Sequence, residues 1–464
     1  MLTKIKNKYI DTAFFRYVLV LAVPMIIQNA ITSFVSFLDN IMVGQVGTEQ
    51  MSGVAIVNQL IFVFNICIWG GVSGAGIFGT QFYGKGDYEG QKYAFRFKMY
   101  ACIIIAGIAL LLFGFLDTNL ISLYLSDGGT VGNTALALQY GEQYLRIMMA
   151  GLVPFAVSQA YVNTIRETGH TFVPMLASLA AVVTNLVLDY VLIFGIGAIP
   201  AYGVQGAAMA TVMARFVECA IVVLWAHTHM EQNPYLKGAY RGFTIPGHIL
   251  SGIIRKGTPL MFNEMLWAVG MAVIAQCYAV RGLEVVAAQN ISSTISNLFN
   301  IVYLQLGGCI SIVVGQLLGA GRLEEARDKD NKMIFFSVVC CMGVSLIMIF
   351  AGRYFPMIYK TEDSIKELAG RFIMISALVM PLCAFSHASY FTLRSGGKTG
   401  ITFLFDSVYT WVIVIPLATI LAKHTALTIE MVFFFVSFTE IIKVTIGYFM
   451  IRSDIWLQNI VKEP

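Results

Sequence analysis

Apolar residues gather in twelve long runs: 14–38, 52–82, 99–116, 136–165, 172–195, 206–226, 258–280, 287–317, 333–352, 368–393, 400–422 and 429–451. An α-helix needs about 20 such residues to cross the roughly 30 Å hydrocarbon core of a bilayer. Inside lipid the backbone must satisfy its own hydrogen bonds, so runs of this length predict helices and exclude open sheets. The longest runs predict tilted helices. The polar stretch His227–Lys256 parts the first six runs from the last six. The pattern predicts an N-lobe over residues 1–226, a cytoplasmic linker over 227–256 and a C-lobe over 257–464.

The two halves repeat one another. Pro24 and Pro259, Gln81 and Gln316, and Gly84 and Gly319 are each 235 positions apart. The string Arg166-Glu167-Thr168-Gly169 is echoed by Arg394-Ser395-Gly396-Gly397, 228 positions on. Six spans is an even number, so both halves enter the membrane in the same sense. Their pseudo-symmetry axis then lies along the membrane normal, the arrangement of a transporter whose site lies between repeats. The fold expected is all-α and integral to the membrane, with two pseudo-symmetric six-helix lobes.

Composition agrees: 58% of residues are hydrophobic and 12% charged, against about 45–50% and about 25% in soluble domains. The net charge of +4 is small and dispersed, which is no footprint for nucleic acid. The eight cysteines fall in apolar runs without metal or redox spacing, and read as small packing residues. The basic start (Lys4, Lys6, Lys8, Arg16) leads into a run too long for a signal-peptide core. Lys and Arg concentrate on the side that also holds Lys85, Lys92, Arg96, Arg255, Lys256, Arg322 and Arg327. The positive-inside bias therefore places both termini in the cytoplasm of a multi-pass plasma-membrane protein.

Charges within spans are costly and often functional. Three pairs read as structural because they sit one helical turn apart: Glu142 with Arg146, Arg215 with Glu218, and Glu440 with Lys443. Asp39, Asp189, Glu264 and Asp406 have no such partner. A carboxyl buried in lipid survives by taking a proton, or by holding a cation with help from neutral oxygens. A group able to do both is a proton or sodium switch. Asn185 lies one turn before Asp189 on the same face. His387, in the tenth run, could relay protons. Pro24 interrupts the helix that carries Asp39 and reads as its hinge. The string Gly396-Gly397-Lys398-Thr399 fails as a phosphate-binding loop, because Thr392 stands where that motif needs glycine.

The strings Asp39-Asn40-Ile41-Met42-Val43-Gly44, Gly79-Thr80-Gln81-Phe82-Tyr83-Gly84, Arg166-Glu167-Thr168-Gly169, Asn185-Leu186-Val187-Leu188-Asp189-Tyr190 and Gly206-Ala207-Ala208-Met209-Ala210-Thr211 carry a resemblance. The chain resembles the multidrug and toxic compound extrusion (MATE) transporters, in their prokaryotic DinF-like branch. The resemblance implies two six-helix lobes that open alternately to each side. It implies export of lipophilic organic cations driven by inward flow of H+ or Na+, without a further cofactor. It assigns the coupling ion to Asp39, Asn185, Asp189 and Thr211, with Asn163 near the same site. No metal other than Na+ is expected there. The other prokaryotic branch uses a glutamate in span seven and an aspartate in span ten. Here Glu264 lies in span seven slightly nearer the proline, and span ten offers His387 instead of an acid. Glu264, His387 and Asn163 are thus secondary or substrate-site candidates. The partners expected are a small-molecule substrate and membrane lipids, with the chain acting as a monomer and not as an enzyme.

Two other readings compete. A flippase for a lipid-linked sugar, or an exporter of an endogenous metabolite, would use the same fold. The flippase predicts several arginines facing the cavity to grip pyrophosphate. A membrane enzyme acting on lipid predicts acids or histidines clustered at one membrane face, and no loop has them.

Overall fold

The computed structural model describes residues 11–126, 133–197 and 199–462. Lys4, Lys6 and Lys8 lie outside them. The helices are α1 (Thr12–Gly44), α2 (Thr48–Lys85), α3 (Tyr88–Ser126), α4 (Thr134–Met149), α5 (Leu152–Glu167), α6 (Phe172–Phe194) and α7 (Val204–Thr228). They continue as α8 (Gly247–Ala279), α9 (Leu283–Gly319), α10 (Leu323–Tyr354), α11 (Asp363–Ser395), α12 (Thr399–His424), α13 (Ile429–Phe438) and α14 (Glu440–Arg452). Among the described residues, ten helices are long and apolar enough to cross a membrane, and α4 with α5, bent by 49°, makes an eleventh. The bend falls where Pro154 withholds an N–H and crowds the preceding turn. Helices α13 and α14, parted by Thr439 alone, lie where the twelfth run was expected.

Several helices overrun their apolar cores, because their polar ends have work inside the protein. Helix α3 begins at Tyr88 and carries Arg96, whose guanidinium donates to the carbonyls of Ala239 (2.7 Å), Gly238 (2.8 Å) and Thr244 (3.0 Å). Part of the stretch read as a polar linker is thereby pinned to a helix. Nearly three turns in from the start of α3, the fully buried Lys98 donates to both oxygens of Glu167 (2.5 and 2.6 Å) and to Thr164 (3.0 Å).

The repeat read in the sequence recurs in the backbone. Helices α2, α5, α9 and α11 all stop in the same way. Gly86, Gly169, Gly321 and Gly397 adopt left-handed φ of 76°, 90°, 74° and 71°. The next residue in each case donates back to the carbonyl five positions earlier: Asp87 to Phe82, His170 to Ile165, Arg322 to Leu317, and Lys398 to Leu393. This glycine-dependent closure satisfies carbonyls that a helix end would otherwise leave open.

The described residues divide into two packing units. One holds Ile27–Gly79 and Tyr88–Ile253; the other holds the residues up to Ile26, Thr80–Asp87, and everything from Ile254 onward. The division at Ile253 falls inside the expected linker. The division at Ile26 falls inside the expected 1–226 lobe. The first turns of α1 bury Phe14, Val18, Leu21, Ala22 and Met25 in one cluster with Leu306, Ile310, Val313, Val314 and Trp456. In the same unit the end of α2 crosses the end of α9. Gln81 donates to the carbonyls of Ser395 (2.8 Å) and Gln458 (3.2 Å), and accepts from the N–H of Ile460 (2.9 Å).

Candidate coupling site

Within the Ile27–Ile253 unit, four helices bring polar side chains to one buried place. Helix α6 presents Asn185 and Asp189, which are 6% and 1% exposed, one turn apart on its buried face. Helix α1 brings Asp39, half-buried, to where its carboxyl interacts directly with that of Asp189. Helix α4 contributes Tyr144, 5% exposed, whose hydroxyl reaches Thr211 of α7 and lies 3.5 Å from Asn58 Oδ1. Thr211 also donates to the carbonyl of Ala207 (3.0 Å). Tyr144 belongs to an apolar cluster with Val43, Val57, Leu145, Met148 and Val212, and low-dielectric surroundings strengthen the interactions among such groups.

Three buried polar atoms here have no hydrogen-bond partner: Asp39 Oδ1, Asp189 Oδ2 and Asn185 Nδ2. A half-turn of the Asn185 amide would present its oxygen to the same space. Two facing carboxyls in a dry site cannot both stay charged unless something positive lies between them. A proton shared by the pair would answer the carboxyl oxygens, and a small cation bound by them and by the turned amide oxygen of Asn185 would answer all three residues.

The structure therefore gathers Asp39, Asn185, Asp189 and Thr211. It does not add Asn163, whose amide donates to the carbonyl of Gln159 on its own helix (3.2 Å). Tyr144 is a member that sequence reasoning missed. The pairing expected between Arg215 and Glu218 does not form; the Arg215 guanidinium reaches the carbonyl of Gly151 (3.4 Å) and the face of Phe155 (5.0 Å). Arg146 does pair with Glu142 (3.8 Å), and also with Asp117 (3.3 Å).

The other unit holds a cavity of about 160 Å³, lined by Glu264, Trp267, His387, Tyr390, Asp406 and Lys443 among others. Glu264 and His387, 123 positions apart in sequence, thus meet in one chamber. His387 Nδ1 lies 3.0 Å from the carbonyl of Cys383, and its ring packs 4.7 Å from that of Tyr303. Asp406 is not an unpartnered acid. Lys443 Nζ sits 2.6 Å from its Oδ1, and Asn263 donates to its Oδ2 at 3.0 Å. The local Glu440–Lys443 pair expected from spacing is overridden by this contact from another helix, and Glu440 Oε1 is left buried without a partner.

A sequence profile of the MatE family matches residues 24–191 and 259–420, one stretch in each half of the repeat. The chain belongs to the MatE family. It is similar to "Probable multidrug resistance protein NorM" of Thermotoga maritima, at 23% identity over 406 residues, covering 87% of this chain and 85% of that protein. It is similar also to "Probable multidrug resistance protein YoeA" of Bacillus subtilis, at 22% identity over 409 residues, covering 88% and 87%. Among solved structures, an outward-facing multidrug resistance MATE family transporter of the MOP superfamily superposes with a TM-score of 0.85 at 19% identity, over 94% of this chain and 95% of that one. This MatE protein is thus a prokaryotic-type, multi-span membrane transporter with the two-lobe fold and a small-molecule substrate, and not an enzyme.

Proposed function

We propose that this MatE protein exports a lipophilic organic cation in exchange for inward-moving H+ or Na+. The coupling ion is carried by Asp39 and Asp189, with Asn185, Thr211 and Tyr144 completing the site. The observation that carries the reading is the direct approach of the half-buried Asp39 carboxyl to the buried Asp189 carboxyl, each with one oxygen that lacks a partner. Such a pair gains or loses a positive charge at little structural expense, and that change biases which side the binding site faces. Pro24 serves as the hinge. It interrupts hydrogen bonding inside α1, and the division between packing units falls within a turn of it, at Ile26. Both termini lie in the cytoplasm, and the chain works as a monomer.

The multidrug names of the bacterial relatives support an organic-cation substrate. So do the soft walls of the cavity in the other unit, where Trp267, Tyr390 and Phe391 line the same space as Glu264. The lipid-linked-sugar reading needs free cavity cations, but Lys443 is held by Asp406 and Arg215 by a carbonyl and a ring. Proteoliposomes loaded with a fluorescent cation, under an H+ or a Na+ gradient imposed separately, test the proposal. Accumulation driven by one gradient and lost in Asp39→Asn is expected. Gradient-independent leakage unaffected by that change would overturn it.

A further inference from the structure

We propose that Lys443 is a tethered cation, supplied by the chain itself to the carboxylate of Asp406, so that this acid carries no exchangeable ion. The two packing units treat their buried acids differently. Arg215 and Lys443 are 228 positions apart, the spacing of the repeat, and so occupy matching places in the two halves. Arg215 is turned to the Gly151 carbonyl and the Phe155 ring, and the Asp39 and Asp189 oxygens beside its helix remain unpartnered. Lys443 instead sits 2.6 Å from Asp406 and is 7% exposed.

The shell around this pair is built for an ammonium. Asp406 accepts from Lys443 on one oxygen and from Asn263 on the other. Asn263 is held in turn by the fully buried Ser407, which donates to its side-chain oxygen at 2.7 Å. The rings of Phe405 and Tyr409 lie 5.4 and 5.9 Å from Nζ. Tyr409 is fixed by its bond to the Thr439 carbonyl (2.6 Å), freed where α13 breaks from α14. Two consecutive π-helical stretches of α12, Leu404–Val408 and Thr410–Val414, place Asp406 and Tyr409 at this point. Such widened turns recur where a helix must aim particular groups. A carboxylate, itself held by a carboxamide, and two aromatic faces around one alkylammonium make a cation site whose occupant is covalently attached.

This inference goes beyond the coupling-site reading, and its test involves no transport, so either can fail alone. Thermal unfolding is followed on purified full-length protein in detergent. Lys443→Ala leaves Asp406 buried without its cation and should lower the midpoint by about 5 °C or more. Millimolar ethylammonium, which fits the vacated space, should restore much of that loss, whereas choline, which has no N–H to donate, should not. Wild type, Lys443→Met and the double variant Asp406→Asn with Lys443→Ala should show no ethylammonium response. An equal response in any of these three, or a Lys443→Ala protein as stable as wild type in plain buffer, would overturn the proposal. Should Lys443→Ala not fold, Asp406→Asn with Lys443→Met decides. It should fold within a few degrees of wild type, since each charge is the other's first partner, and failure of this neutral pair to fold would also overturn the proposal.

Discussion

Gly84 of α2 lies directly against the backbone carbonyl of Gln316 of α9, and the relation is reciprocal: Gly319 lies against the carbonyl of Gln81. The four residues form two repeat-related pairs, 235 positions apart, so the helix ends cross at the place where the repeat meets its own copy. A side chain at either glycine would collide with main chain, which cannot swing aside as a flexible side chain can. Gly84→Ala and Gly319→Ala should each cost about 1–3 kcal/mol of stability. Gly107→Ala and Gly343→Ala, where an added methyl meets nothing within 4 Å, should be near neutral. Thermal unfolding read by fluorescence-detected size exclusion makes the comparison.

The Asp39–Asp189 pair predicts a failure of additivity. Asp39→Asn or Asp189→Asn alone should abolish gradient-driven uptake in proteoliposomes while leaving a monodisperse, folded protein. The double variant should be no worse than either, because one proton or ion serves both groups. Uptake losses that multiply would separate the two acids into independent sites.

Tyr144→Phe removes the hydroxyl near Thr211 and Asn58 and keeps the ring. One hydrogen bond near a charged group is worth about 1.5 kcal/mol. The apparent affinity for the coupling ion should therefore fall by about tenfold, with little change in maximal rate at saturating ion. Initial uptake rates measured over a series of pH and Na+ concentrations distinguish this from a purely structural loss, which would lower the maximal rate instead.

Lys98 and Glu167 illustrate a buried pair whose halves depend on each other. Lys98→Met or Glu167→Gln alone should destabilise by about 3–5 kcal/mol, leaving one charge stranded, whereas the double variant should recover most of that. Unfolding midpoints of the three proteins test it; a double variant as unstable as the worse single would show that the pair is held by something else.

Much of this was legible in the residues. Span positions follow from apolar runs because the bilayer leaves the backbone few alternatives. The members of the candidate site on α1 and α6 stood out because a polar side chain in such a run needs a reason, whereas Thr211 on α7 entered only through the family resemblance. Tyr144 did not stand out, since a tyrosine among apolar neighbours is ordinarily packing. Lys443 was misread because Glu440, one turn away, offered a local partner. Its actual partner, Asp406, is 37 positions distant on another helix, and helical spacing is silent about such contacts. The unit boundary at Ile26 was hidden for a simpler reason: α1 runs unbroken from Thr12 to Gly44, so no polar gap marks the change of neighbours.

The cluster that joins Phe14, Val18 and Leu21 to Trp456 bears on the order of assembly. A ribosome delivers Phe14, Val18 and Leu21 more than 430 residues before Trp456. The unit made of Ile27–Gly79 and Tyr88–Ile253 is fully synthesised about 200 residues before Trp456 is made. The opening turns of α1, and the end of α2, must wait for α9 and α11 and finally for Trp456. While those residues are made, the opening turns of α1 therefore stand beside lipid or insertion machinery, and their permanent neighbours arrive late.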